Sequence, residues 1–265
     1  MSFFLLDNDV SILFVPIDIF SEQDYQMFTQ DDEIFTSDLT DYVSKCKSKK
    51  RQKEILLSRL LSLYILQTNN VNIDFFNSVK KRRDILLNNF FSPPAKTIYL
   101  SISHSHTYLT IALSSTSQIG IDIEYPYRGI EKIKQYFVNK KNVIFEDNNS
   151  NILLSLWTVY EALSKLNISE ENQQKIIEKM FIEVNKRRYQ KLRGLLFQYF
   201  STGGYEVFVW KDSIVPGPGC LISRGENISK INFYIIEKSQ YIIEKPCKIN
   251  LARLLTCYKK AEITL

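Results

Sequence analysis

Asp122 and Glu124 are two carboxylates one residue apart, in the stretch Ile119-Gly120-Ile121-Asp122-Ile123-Glu124. Isoleucines alternate there with Gly, Asp and Glu, which is the period of a half-buried strand. The isoleucines then face a core and the carboxylates share the opposite face. At roughly 3.3 Å of rise per residue the two acids stand about 6.6 Å apart along the backbone, close enough for both to reach one cation. Gly120 leaves backbone open beside them. An ordinary amphipathic strand with its acids in water has the same pattern, and a lone D-x-E does not separate the two readings.

A third ligand would separate them. Residues 153–166 carry apolar side chains at 153, 156, 157, 160, 163 and 166, a helical spacing. Trp157, Glu161 and Lys165 then stack along one side of that helix at i, i+4 and i+8. Taken alone, Glu161 and Lys165 are an exposed ion pair worth about 0.3–0.5 kcal/mol. Placed over the strand, Glu161 would join the cation and Lys165 would stand beside a phosphate. The chain's two histidines, His104 and His106, sit at strand spacing. They could ligate zinc or iron if a third ligand joined them, or simply satisfy backbone groups.

The strand I-G-I-D-I-E followed by W-T-x-x-E-A-x-x-K resembles the signature pair of the 4'-phosphopantetheinyl transferases, in particular the larger monomeric class similar to the surfactin-synthetase activating enzyme. The upstream Ile102-Ser103-His104-Ser105 resembles that class's third motif, and the three together span residues 100–166. The resemblance implies transfer of the phosphopantetheine arm of coenzyme A onto a carrier-protein serine, with release of adenosine 3',5'-bisphosphate. It implies Mg²⁺ on Asp122, Glu124 and Glu161, with Glu161 also accepting the serine proton and Lys165 neutralising pyrophosphate charge. It further implies that Ser103 and His104 meet a coenzyme A phosphate, and that basic residues near Lys45 and Lys53 meet the 3'-phosphate. The expected partner is an acidic acyl or peptidyl carrier protein, and the expected state a monomer. The chain departs from the family pattern at Pro93-Pro94-Ala95-Lys96, at Tyr160 and after Leu166. These departures leave the three carboxylates in place, bear on coenzyme A affinity and carrier choice, and point to a divergent or very selective enzyme.

Elements on both sides must position these residues. Residues 10–19, 98–102, 108–113, 205–210, 231–236 and 241–244 read as strands, and residues 49–67 and 130–137 as helices. Residues 169–188 form a polar helix or excursion. Thr202-Gly203-Gly204 and Pro216-Gly217-Pro218-Gly219 mark turns. The polar turn at 114–118 is the best internal boundary. The segments I-L-L-S-R-L-L-S-L-Y and I-L-L-S-L-W-T-V-Y are alike enough to suggest a duplicated α+β unit. The family architecture implies the same: an α+β fold of two similar halves, 1–117 binding coenzyme A and 118–265 binding metal, with the site in the cleft between them.

At 265 residues and 45% hydrophobic composition the chain can bury a substantial core. No apolar run reaches the ~18 residues of a membrane span. The N-terminal stretch carries Asp7, Asp9 and Asp18 without leading positive charge, so a cytoplasmic protein without membrane attachment is expected. Cys46, Cys220, Cys247 and Cys257 are scattered, which argues against a zinc site or disulfide framework. A net charge of +5 hides clusters: six Lys or Arg within 45–53, and the runs 80–83 and 186–188. Clusters of this kind are usually solvated helix faces, and can also bind nucleic acid, a phosphorylated ligand or an acidic protein. A metal-dependent phosphohydrolase and a nucleic-acid-binding scaffold are the rival classes; no nucleic-acid partner is expected here.

Overall fold

The computed structural model describes residues 9–22, 25, 37–68, 89–92, 96–105, 107–125, 129–141, 150–166, 168, 170–186, 189–192, 195–211, 215–225, 228–236 and 258–264. His106, the basic run at 80–83, and the strand expected at 241–244 lie outside them.

Strand β1 (Asp9–Pro16) is followed by helices α1 (Ser37–Ser44) and α2 (Lys49–Thr68), then by β2 (Asn89–Ser92), β3 (Lys96–Ser105) and β4 (Tyr108–Ser114). After a bend at 115–117 comes β5 (Gln118–Ile123), then helices α3 (Ile130–Lys141), α4 (Ser150–Ser164) and α5 (Glu170–Lys186). Strands β6 (Gln190–Leu192), β7 (Leu195–Thr202), β8 (Tyr205–Trp210), β9 (Gly219–Arg224), β10 (Lys230–Ile236) and β11 (Tyr258–Thr264) complete the order. The protein is a mixed α+β fold. Of the polar helix or excursion expected at 169–188, residues 170–186 are helix α5, which buries Ile177, Phe181 and Val184 at helical spacing.

Two sheets form. The first runs β11-β10-β1-β4-β3-β2 and the second β5-β9-β8-β7-β6. Pairing is antiparallel except between β1 and β10, where Asp9 meets Lys230 in parallel register. The first sheet therefore takes two strands from beyond residue 117. The bend at 115–117 is where the chain leaves the first sheet for the second.

Three apolar layers follow from the period-two pattern of the strands. Leu13 and Val15 of β1, Ile98, Leu100 and Ile102 of β3, and Leu109, Ile111 and Leu113 of β4 pack under α2. Val10, Ile12 and Phe14 point the other way, into a layer shared with Ile119, Ile121, Ile123, Phe208 and Trp210 of the second sheet. The far face of that sheet, with Val207, Val209 and Ile222, is covered by α3, α4 and α5. The order of layers is helix, sheet, sheet, helices. Helix α2 starts on Ser48, whose Oγ accepts the Arg51 N–H at 3.3 Å, and is buried on every side from Glu54 to Ser62.

The strand at 119–124 forms, with its isoleucines inside the inter-sheet layer. Its other face is equally dry: Asp122 and Glu124 are only 5% and 6% exposed. Helix α4 lies on that face, and Gly120 is the reason it can. A Cβ at Gly120 would run into the Ala162 carbonyl and crowd the Leu166 side chain. The sequence suggests open backbone at Gly120; the structure fills that space with helix.

Candidate functional site

Strand β5 is an outer strand of the second sheet, so one row of its backbone groups has no ladder partner there. The first sheet supplies the missing partners through side chains. Ser101 and Ser103 project from β3, and their Oγ atoms accept the N–H groups of Ile121 at 3.0 Å and Ile123 at 3.3 Å. Two serines spaced by one residue match the period of the strand edge they meet. This junction brings the first group of candidate residues together.

Ser103 Oγ–H donates to Asp122 Oδ1 at 2.7 Å. Lys165, just past the end of α4, donates from Nζ to the same Oδ1 at 2.9 Å and to the Ile121 carbonyl at 2.6 Å. The lysine reaches this point because the final turn tightens: its N–H bonds the Ala162 carbonyl, and that of Leu166 bonds the Leu163 carbonyl. Asp122 Oδ2 is buried and has no hydrogen-bond partner among the described residues. A buried carboxylate oxygen left this way is a hard acceptor of the kind Mg²⁺ takes. Behind it, on β9, Cys220 pairs with Asp122 across the ladder. Burial, followed by the Asp122 charge, pushes that thiol well above its ordinary range.

Glu124 is held separately. Trp157 Nε1–H donates to its Oε1 at 2.8 Å, and its backbone N–H donates to the Pro218 carbonyl at 2.8 Å. The indole itself is fixed edge-on against Tyr136 and Phe137. Tyr160 packs against Trp157 and shares a hydroxyl–hydroxyl bond with Tyr136. Glu161 is half-buried on α4. Among the described residues, no three His, Cys, Asp or Glu side chains converge closely enough to hold a metal ion. Asp122, Ser103 and Lys165 thus form one direct cluster; Glu124 and Glu161 do not close with Asp122 into a preformed cradle.

His104 belongs to a second cluster. Its Nε2 lies 3.0 Å from Glu54 Oε2, and Arg51 Nη1 lies 2.9 Å from the same oxygen and 2.7 Å from Nε2. Burial would raise the Glu54 carboxyl, but hydrogen bonds from His104 and Arg51, reinforced by their charges, outweigh it and hold the group at about 2. Lys45 sits at the surface on Asp41 at 2.8 Å. Lys53 is 3.9 Å from Glu22 and over the Tyr25 ring, with Lys49 3.4 Å from the same Glu22. Lys49 and Lys53 line a cleft of about 280 Å³ between α1 and α2. Arg51 and Glu54 leave α2 on a different side.

No protein-family model matches this chain, and no curated protein matches it.

Arg51, Glu54 and Ser101 were not among the residues the sequence singles out. Arg51 and Glu54 carry an i,i+3 signal at the polar start of a helix that turns mainly apolar from residue 55 onward. Ser101 alternates with Ser103 along β3. His104 lies 53 residues from Arg51, and nothing local links them.

Proposed function

We propose that this protein is a 4'-phosphopantetheinyl transferase, moving the phosphopantetheine arm of coenzyme A to a serine of an acidic acyl or peptidyl carrier protein. The observation that carries the reading is Asp122. It keeps one buried oxygen without a partner while its other oxygen is fixed by Ser103 and Lys165. The reading brings with it two similar α+β halves, 1–117 and 118–265, and a site in the cleft between them. It is supported by the way Ser103 of the first sheet meets Asp122 and Lys165 of the second. A monomer working in the cytoplasm fits it, and no described helix is long and apolar enough to cross a membrane.

Asp122 Oδ2 would be the first protein ligand of Mg²⁺, with Glu124 and Glu161 completing the carboxylate set and phosphate oxygens and water taking the other positions. The ion would supply Lewis-acid stabilisation of charge on the pyrophosphate oxygens. The chain's own groups do the rest. The carrier serine Oγ forms a bond to the β-phosphorus, the bond from that phosphorus to the leaving nucleotide oxygen breaks, and Glu161 takes the serine proton. Lys165 has spent two of its three N–H donors on Ile121 and Asp122, and the third meets the leaving phosphate. Trp157 holds Glu124 in one orientation, so that carboxylate does not have to be ordered during turnover.

The test is the intact mass of an apo carrier protein after incubation with this protein, coenzyme A and Mg²⁺, with Asp122→Ala as control. A gain of one phosphopantetheine group that disappears in the control is expected. No gain over a panel of fatty-acid, polyketide and peptide carriers, together with no nucleotide binding, refutes the reading. Full turnover by Glu161→Gln at saturating Mg²⁺ would remove Glu161 from the base role.

A further inference from the structure

Ser103 and His104 are neighbours on β3, and the resemblance gives both to a coenzyme A phosphate. The fold sends them to opposite faces of the strand. His104 turns toward α2, where Glu54 and Arg51 meet it. Ser103 turns toward β5 and is only 3% exposed. Its hydroxyl has one proton, and donates it to Asp122 Oδ1 at 2.7 Å. The same Oγ accepts the Ile123 N–H at 3.3 Å. Phosphate oxygens need donors, and this buried hydroxyl has no second proton to give.

What Ser103 does for Asp122 follows from the bonds each carboxylate oxygen makes. Oδ1 takes the Ser103 hydroxyl and the Lys165 ammonium at 2.9 Å, which fills both of its lone pairs. Two donors from different elements fix the plane of the carboxylate, where one would leave it free to turn. Oδ2 is buried and has no partner among the described residues. The two oxygens are thus divided: one is filled by protein donors, and the other is left for a hard cation. Ligating carboxylates are commonly held in this way by hydrogen-bond partners that do not themselves touch the ion. Ser101 offers an internal comparison. It lies two residues earlier on the same face of β3 and accepts the Ile121 N–H at 3.0 Å, but bonds no carboxylate among the described residues. Ser101 closes the junction between the sheets; Ser103 closes it and also holds Asp122.

We propose that Ser103 is a positioning residue for Asp122, and not a contact to coenzyme A: with Lys165 it fills Oδ1 and so presents Oδ2 alone to the divalent cation. The inference rests on the transferase reading and gives one of its residues a different task. Without the hydroxyl, Lys165 is the sole donor to Oδ1, and the soft terminal torsion of the aspartate lets the carboxylate turn. Loss of such a partner costs about 10–100-fold in metal affinity. Affinity for coenzyme A in the absence of metal should stay where it is, because the lost group touches only Asp122 and the Ile123 N–H.

The experiment compares wild type with Ser103→Ala, Ser101→Ala and Asp122→Ala, all as full chains. Coenzyme A binding is measured by calorimetry in EDTA. Mn²⁺ uptake is measured without EDTA at saturating coenzyme A, by loss of the free-ion EPR signal against a protein-free blank. S103A should bind coenzyme A as wild type does, and should need about 10–100-fold more Mn²⁺ for half-saturation. S101A should match wild type in both titrations although it loses the same kind of buried acceptor; a merely structural role for these serines would move the two variants together. Ser103→Thr keeps the hydroxyl and should take up Mn²⁺ close to wild type. A loss there as large as in S103A assigns the effect to packing and overturns the inference. Weaker coenzyme A binding by S103A in EDTA also overturns it, since the hydroxyl would then be a ligand contact. Unchanged Mn²⁺ uptake by S103A, with uptake lost in Asp122→Ala, overturns it and leaves the transferase reading standing. A wild type that binds no coenzyme A, or takes up no more Mn²⁺ than Asp122→Ala, overturns both.

Discussion

Alanine at position 120 would drive a Cβ into the Ala162 carbonyl, a backbone atom in the body of α4, and would crowd the Leu166 side chain. A flexible side chain could swing away; a helix cannot. Helix α4 is bonded into the second-sheet core through Leu156, Val159, Leu163 and the following Leu166, all fully buried, so retreat separates close-packed apolar surfaces. Overpacking against so stiff an obstacle belongs at the top of the usual range, about 3 kcal/mol. For a chain of this size that lowers Tm by roughly 6 °C or more. The functional cost should be larger than the stability cost, because the displaced carbonyl also accepts the Lys165 N–H, and Lys165 Nζ is anchored on Asp122. Gly129→Ala is the control: a Cβ there lies 3.9 Å from the Lys132 side chain and meets no backbone. Thermal unfolding by circular dichroism, together with carrier loading, measures both effects. Equal melting of the two variants would refute the close approach of α4 to β5.

Glu54 should leave an acid signature on stability. Its folded value of about 2 lies below the ordinary 4.5, so the unfolded chain takes up the proton first. The contribution is complete above pH 4.5 and disappears as pH falls toward 2. It amounts to about 3 kcal/mol, and denaturant titration across that window should show the loss in wild type and its absence in Glu54→Gln. Trp157→Phe keeps the ring packing but removes the donor to Glu124 Oε1, and should cost about 1.5–3 kcal/mol in chemical unfolding. A change within error would mean that the indole does not hold that carboxylate. Ser101→Ala strips the acceptor from the Ile121 N–H, a cost of about 1–3 kcal/mol for a buried donor. Hydrogen exchange at that amide should accelerate while amides in β8 stay protected.

Where sequence alone was informative, a single element carried its own periodicity. The alternation at 119–123 marks β5, and the apolar spacing through 153–166 marks α4, because each depends on which side of one strand or helix is dry. What covers the carboxylate side of β5 depends on where α4 lands, and that is set by Gly120 and the packing of the second sheet. Burial of Asp122 and Glu124 was therefore not readable from their own neighbourhood. The same holds for His104: its chemistry is set by Arg51 and Glu54, which come from a helix far back in the chain. Sheet edges were the least legible. β6 is three exposed residues, too short to show a period. Parallel pairing of β1 with β10 leaves no local trace at all, since strand composition says nothing of partner or direction.

That parallel pairing also sets a timetable. β1 lies inside its sheet, with β4 on one side and β10 on the other. During synthesis its first neighbour emerges early, but the second follows about 220 residues behind, roughly 10–40 s at ordinary ribosomal rates. Throughout that interval the backbone row of Val10 to Phe14 is an uncapped template flanked by apolar side chains. The nascent chain should therefore depend on chaperones that shield strand edges, and a ribosome stalled before residue 230 should release an aggregating product. A chain ended before β10 would lack this closing strand permanently.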